Sequence, residues 1–299
     1  MTWRWTDSLR EPVSTALREL DALRLDRSRK AGWHVLLPSQ RGEGIRWVGF
    51  DEDFASAPKR LSPLRDHRLD TILPSLGRWL DCGATITLVA YKPGRRVVLF
   101  ADDGQEPVMV KLYHKDRGYE RRWRVATTCP GVATPRVVDW DAKRRCLTTT
   151  LIGGASLNQR WLSNRGEPTD GVALAEVVRG LWEVRPPQDF GTFDAYDEIA
   201  TLEARLPEYH EILATPSPRA ETLVAQVSKA LANTASDDRV LCHRDFHDKQ
   251  VLIDGDRVGL IDFDLAALGP RALDVGNMIA HIRLRDCKGA RFGWREIAG

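Results

Sequence analysis

The stretch "LCHRDFHDKQVLID", Leu241 to Asp254, followed closely by "VGLIDFDLAALGP", Val258 to Pro270, decides how this 299-residue chain is read. The apolar segment "RVLC" reads as a short strand that delivers His243, Arg244 and Asp245 to a loop. "QVLID", the tight turn "GDR" and "VGLID" then read as an apolar hairpin. The hairpin returns the chain to the same place and presents Asp262, 17 residues after Asp245. An Asp on such a loop can orient an incoming hydroxyl or accept its proton. A second carboxylate beside it suits Mg²⁺, which takes hard oxygen ligands and keeps substrate phosphates in its shell. An HRD triplet alone is weak; with a loop of this length, an apolar hairpin and an Asp at its far end it is specific.

The chain upstream supplies complementary charges. Lys111 lies inside the apolar strand pattern "VMVKLY", an awkward place for a cation unless something pairs with it. Glu120 comes nine residues later in a helical stretch and is the expected partner; such a pair can hold the α- and β-phosphates of a nucleotide. Taken alone, Lys111 reads more simply as an edge-strand lysine pointing to solvent; together with the 241–262 block the paired reading is preferred.

Bulk properties exclude several classes. Apolar content of 42% and charge content of 29% suit a globular protein. A net charge of +2, with Arg interleaved among Asp and Glu, gives no reason to expect nucleic acid or an anionic membrane as partner. The amino terminus lacks an apolar signal region, and no run of about 18 apolar residues occurs. Five scattered cysteines without a CxxC pair fit reduced thiols in a cytoplasmic protein better than a zinc site or disulfide framework.

Residues 1–82 read as an extension: a helix over "PVSTALRELDALRL", two short strands in "GWHVLLP" and "IRWVGF", and a helix over "LDTILPSLGRWLD". Trp3, Trp5 and Trp33 are taken as packing residues or a contact surface. Residues 83–153 alternate as three strands, a helix over about Arg117 to Thr128, and two more strands, an α+β unit. Residues 154–299 are mainly helical, broken at "RPPQ" and "TPSP", until the quoted block begins.

These residues together resemble the aminoglycoside phosphotransferase family within the protein-kinase-like fold. Its His-x-Asp-x-x-x-x-Asn loop is matched by His243, Asp245 and, with a change, Gln250; its second metal Asp by Asp262; its strand Lys and helix Glu by Lys111 and Glu120. "YKPGRR", Tyr91 to Arg96, resembles the family's first hairpin, and "DVGN", Asp274 to Asn277, its trailing structural segment. The resemblance spans roughly Ala84 to His281. It implies an α+β, two-lobed kinase-like fold: a five-stranded antiparallel N-lobe sheet, a mainly helical C-lobe and the extension. It further implies ATP-dependent transfer of the γ-phosphoryl group to a hydroxyl of a small molecule, with Asp245 orienting that hydroxyl and Gln250 and Asp262 holding Mg²⁺. Adenine is expected against the segment from Thr150 through Ile152 to Gly153.

Three departures qualify the match. Gln250 offers the same amide oxygen as Asn, one methylene further out. No GxGxxG is present; Gly94, Arg95 and Arg96 stand in its place, with a solvated hairpin tip as the plainer reading. Only 37 residues come after Asp262, fewer than the family's usual terminal helices. Gln250 and this short terminus support the alternative of a nucleotide-binding pseudokinase acting on a partner. His247 is read as loop packing, Asp248 and Lys249 as a solvated turn, Cys242 as buried packing; Asp264 fits metal assistance and loop fixing equally.

Overall fold

In a computed structural model of the chain, the described residues are 24–28, 32–37, 46–50, 59–66, 69, 72–163, 165–167, 169–212, 216–233 and 238–287. The helix expected from "PVSTALRELDALRL" lies outside them up to residue 23; from Arg24 the backbone is already strand. Four short strands, β1 (Arg24–Ser28), β2 (Gly32–Leu37), β3 (Arg46–Phe50) and β4 (Lys59–Leu61), form an antiparallel sheet in that order. Only β2 and β3 carry an apolar strand pattern in sequence. "RLDRS" and "KRL" become strands because the ladder supplies their backbone partners. Helix α1 (Ile72–Asp81) comes next, with Pro74 in its first turn, where a missing N–H is harmless.

The five-strand pattern holds. β5 (Thr85–Lys92), β6 (Arg96–Asp102) and β7 (Val108–Tyr113) pair antiparallel, then come α2 (Tyr119–Ala126), β8 (Val137–Asp141) and β9 (Cys146–Thr150). The sheet order is β5-β6-β7-β9-β8, so the strand carrying Lys111 is interior rather than at an edge. β10 (Ala155–Ser156) leads into α3 (Leu157–Leu162), a short helix missed in sequence. Its signature is a capping box: the Ser156 hydroxyl accepts from the Gln159 N–H (3.2 Å) and Gln159 Oε1 accepts from the Ser156 N–H (2.9 Å). Helices α4 (Thr169–Glu183), α5 (Ala195–Ile212) and α6 (Pro218–Asn233) match the three helical stretches. β11 (Arg239–Cys242), β12 (Val251–Asp254), β13 (Arg257–Leu260), β14 (Ala267–Pro270) and α7 (Ala272–Cys287) complete the described elements.

The chain divides into two compact units. The first holds the described residues up to Lys115 with Asp141–Cys146 and Tyr196–Asn233; the second holds Asp116–Trp140, Leu147–Ala195 and the described residues after Asn233. In the first, Trp47, Leu69 and Leu76 from the extension share one apolar cluster with Tyr91, Val97, Leu99, Val110 and Leu112 of the β5–β7 strands. Burial of each such side chain contributes on the order of 1.5–3 kcal/mol, so the extension and these strands stabilise one another. In the second unit, β12 sits between β10 and β13, and β11 pairs with β14.

The approach to β10 is tight. Gly154 has φ of +109°, and a Cβ there would lie 2.7 Å from the Ile253 carbonyl oxygen of β12. Gly154→Ala is expected to lose about 1–3 kcal/mol through backbone strain and this clash. A fall in melting temperature of about 2–4 °C per kcal/mol in a thermal unfolding experiment checks it.

Candidate functional site

In the second unit, β11 ends at Cys242 and feeds a fully buried His243. One carboxylate fixes the path of the chain beyond this strand. Asp274, in the first turn of α7, accepts the His243 N–H (2.7 Å) and the Arg244 N–H (2.8 Å), one on each oxygen. Burial pushes the Asp274 carboxyl above the usual carboxylate range; the backbone N–H groups of His243 and Arg244 and the Arg244 guanidinium oppose this. The His243 ring is held at both nitrogens: Nδ1 faces the Asp245 N–H (3.3 Å) and Nε2 the Ile261 carbonyl (2.8 Å). Both contacts are satisfied by the neutral tautomer with hydrogen on Nε2, which donates to Ile261 while Nδ1 accepts.

That contact brings the hairpin's far end to the loop. β12 and β13 pair with Val251 opposite Leu260, and the ladder extends one step when the Ile261 N–H donates to the Gln250 carbonyl (3.1 Å). Gln250 and Asp262 therefore flank the same hairpin end, which the His243 ring ties to the loop that carries Asp245. Two residues here have left-handed backbone, Arg244 (φ +69°) and Asp262 (φ +68°), a region costly for side chains other than Gly. Arg244 is held by more than Asp274: its guanidinium lies 3.3 Å from the Phe193 ring centroid, Nη1 donates to the Leu265 carbonyl (3.3 Å), and its own carbonyl accepts from Asn277 Nδ2 (3.4 Å). Asp245 remains half-buried, with its carboxylate 3.7 Å from His247 Nε2.

The neighbouring residues divide between expectation and correction. Asp264 fixes the loop: it is buried and its carboxylate accepts the indole N–H of Trp123 on α2 (2.9 Å), while its carbonyl accepts from Arg122 (2.8 Å). Trp123 also packs edge-on against Phe263. Asp248 corrects the expectation of a solvated turn: it is 1% exposed, its carboxylate accepts from Arg285 of α7 (2.8 Å), and its carbonyl accepts the Asn158 N–H (3.0 Å). The partner Arg285 stands 37 residues away, and no local pattern announces it. Lys249 is exposed as expected. His247 packs in the loop: its ring lies 4.7 Å from that of His281, and Nε2 is 3.4 Å from the Gln250 amide. Cys242 is buried packing, its thiol pushed up by burial and by Asp274.

The expected nucleotide-side residues sit further from this loop in sequence. Lys111 is 6% exposed, opposite Val98 in the β6–β7 ladder, which overturns the solvent-facing alternative. Glu120, in the first turn of α2 in the other unit, is half-buried and accepts from Arg124 Nε (2.8 Å). Thr150 is buried at the end of β9, its hydroxyl accepting the Arg136 N–H (2.9 Å); Ile152 is half-buried. Among the described residues no three His, Cys, Asp or Glu side chains form a ready-made metal cage. Mg²⁺ held by one or two protein oxygens together with phosphates does not require one. The donor set of Asp262 carboxylate and Gln250 amide oxygen is of the right chemistry for it.

Residues 94–296 match the phosphotransferase enzyme family, APH. Among solved structures, the chain is similar to a thermostable mutant of aminoglycoside phosphotransferase APH(4)-Ia in its apo form (17% identity, 74% of this chain and 84% of that one, TM-score 0.53). It is similar also to aminoglycoside phosphotransferase APH(3'')-Id from Streptomyces rimosus ATCC10970 (20% identity, 71% and 82%, TM-score 0.52). A third is a choline/ethanolamine kinase family protein from Mesorhizobium loti (17% identity, 71% and 68%, TM-score 0.51). At these identities the likeness establishes the kinase-like fold. A comparison of the sequence with curated proteins finds no match.

The geometry carries two testable outcomes. Asp274→Asn leaves one acceptor oxygen for two buried N–H groups and is expected to lose about 1–3 kcal/mol, read as a lower melting temperature. Burial holds the His247 imidazole below its ordinary value; Asp245 opposes this and His281 reinforces it. The unfolded chain therefore binds this proton first on acidification, so the stability from neutral His247 is present above about pH 6.5 and is lost as pH falls through the lowered folded value. The drop in melting temperature between pH 7.5 and 5.5 is expected to be smaller in His247→Gln than in the wild type.

Proposed function

The chain belongs to the phosphotransferase enzyme family, and on that premise we propose that it transfers the γ-phosphoryl group of ATP to a hydroxyl of a small molecule. One observation carries this reading. The His243 ring and the Ile261–Gln250 hydrogen bond fasten the Asp245 loop and the Asp262 end of the hairpin into one place within one compact unit. Each residue then has a role that its chemistry fits. Asp245 accepts a hydrogen bond from the acceptor hydroxyl, aims its oxygen, and takes the proton as the oxygen–phosphorus bond forms and the bond from the γ-phosphorus to its bridging oxygen breaks, releasing ADP. A carboxylate suffices for this when the transition state is loose, since the hydroxyl need not be ionised beforehand.

Asp262 and Gln250 are the residues that would hold Mg²⁺, whose contribution when bound is to neutralise charge on the phosphates. Lys111 is assigned to the nucleotide phosphates with Glu120 as its charge partner, and the segment from Thr150 to Ile152 to adenine. The lobes are assigned as 83–153 and 154–299, with 1–82 as the extension. No helix among the described residues is long and apolar enough to cross a membrane, and a cytoplasmic small-molecule kinase is the setting that suits this chemistry. The described pocket between α5 and α6, about 400 Å³, is lined mainly by apolar side chains such as Leu202, Leu206, Leu223 and Val224.

The test is product formation from MgATP across a panel of hydroxyl compounds. Asp245→Asn is expected to lower kcat by roughly 10²–10⁴-fold while nucleotide binding persists. Nucleotide binding without a phosphorylated product from any compound would support the regulatory pseudokinase reading. Absence of nucleotide binding by the wild type would overturn both.

A further inference from the structure

The phosphotransfer reading gives the extension no task, yet its contact with the first hairpin is specific. Asp66 stands between the 3₁₀ turn Pro63–Arg65 and α1. Its Oδ2 accepts from the Tyr91 hydroxyl (2.9 Å) and from the Gly94 N–H (2.5 Å), 25 and 28 residues downstream. Tyr91, next to last in β5, lies in the buried cluster that also contains Leu69, so one side of this clamp is anchored in the core. Gly94 lies in the β5–β6 turn with φ of +64°. The turn is closed by Arg95 N–H to the Lys92 carbonyl (3.0 Å), and its far limb is tied by His114 N–H to the Arg95 carbonyl (2.8 Å).

We infer that Asp66 is a positioning residue for the nucleotide: from the extension it holds, through Tyr91 and Gly94, the β5–β6 turn that opens β6, the strand that pairs Val98 with Lys111, the residue assigned to the phosphates. The inference rests on the phosphotransfer reading. The turn has a single glycine and no glycine-rich run, and a carboxylate of a preceding segment fixes its shape and with it the register of β6 beside Lys111. Because Asp66 takes the Gly94 N–H, the turn offers position rather than that backbone donor. Burial, and then Asp66 itself, push the Tyr91 hydroxyl above its ordinary value, so it stays protonated and keeps donating. Fixing the turn in advance removes an ordering cost from binding.

The experiment is calorimetric titration of the full chain with a non-hydrolysable ATP analogue and Mg²⁺, well below the melting temperature. Asp66→Asn and Tyr91→Phe are each expected to weaken binding, the former roughly tenfold, equivalent to about 1.4 kcal/mol. The double variant is expected to be little worse than the stronger single one, since both act on one oxygen. Gly180→Ala serves as the destabilised control. Its added Cβ would lie 2.7 Å from the Pro130 carbonyl oxygen, so it lowers the melting temperature and leaves nucleotide affinity unchanged. Faster hydrogen exchange at the Gly94 amide in Asp66→Asn verifies that the clamp is broken. Wild-type affinity in both Asp66→Asn and Tyr91→Phe, or tighter binding, overturns the inference and leaves the phosphotransfer reading standing. No binding by the wild type overturns the reading itself and the inference with it.

Discussion

The second unit is organised by a carboxylate that never meets solvent. Asp274 takes two consecutive backbone N–H groups, those of His243 and Arg244, and so decides the direction in which the chain leaves β11. From there the constraint passes through the His243 ring to Ile261, and through Ile261 to Gln250. Every one of these groups is a backbone atom or a ring with its hydrogen assigned by its neighbours. The arrangement therefore tolerates little rotation. It is also a costly one, because a buried carboxylate keeps its charge only while its donors remain in place.

Features legible in the sequence and features hidden in it divide along a physical line. The loop, the hairpin and the five-strand alternation were legible because each is written in residues adjacent in the chain: apolar runs, a two-residue turn, a helix stop. Lys111 was legible as an anomaly, a cation in an apolar strand, and its burial is in keeping with that. The contacts that hold the loop were not legible, since Trp123 reaches Asp264 across 141 residues and Arg285 reaches Asp248 across 37. An Asp in "FHDKQ" looks the same whether it faces water or a buried arginine. Likewise "RLDRS" carries no strand period; its state is set by β2 beside it.

The extension shows how such long-range partnership changes the meaning of a segment. Read alone, residues up to 82 have helical and strand patterns without chemistry. In the fold, Trp47, Leu69 and Leu76 complete the apolar cluster on which the β5–β7 strands depend, so these strands and the segment before them are one hydrophobic unit. The boundary that is natural to a reader of motifs is not a boundary in packing.

The left-handed backbone at Arg244 bears on portability. A peptide carrying only "HRDFHDKQVLIDGDRVGLID" would relax at Arg244, for nothing within it restores the ordering that Asp274, Asn277 and Phe193 impose there. Transplanting the motif to another scaffold means transplanting a helix start and an aromatic ring along with it. Twenty residues that read as a self-sufficient signature in the sequence are, in three dimensions, a tenant of the helix that comes after them.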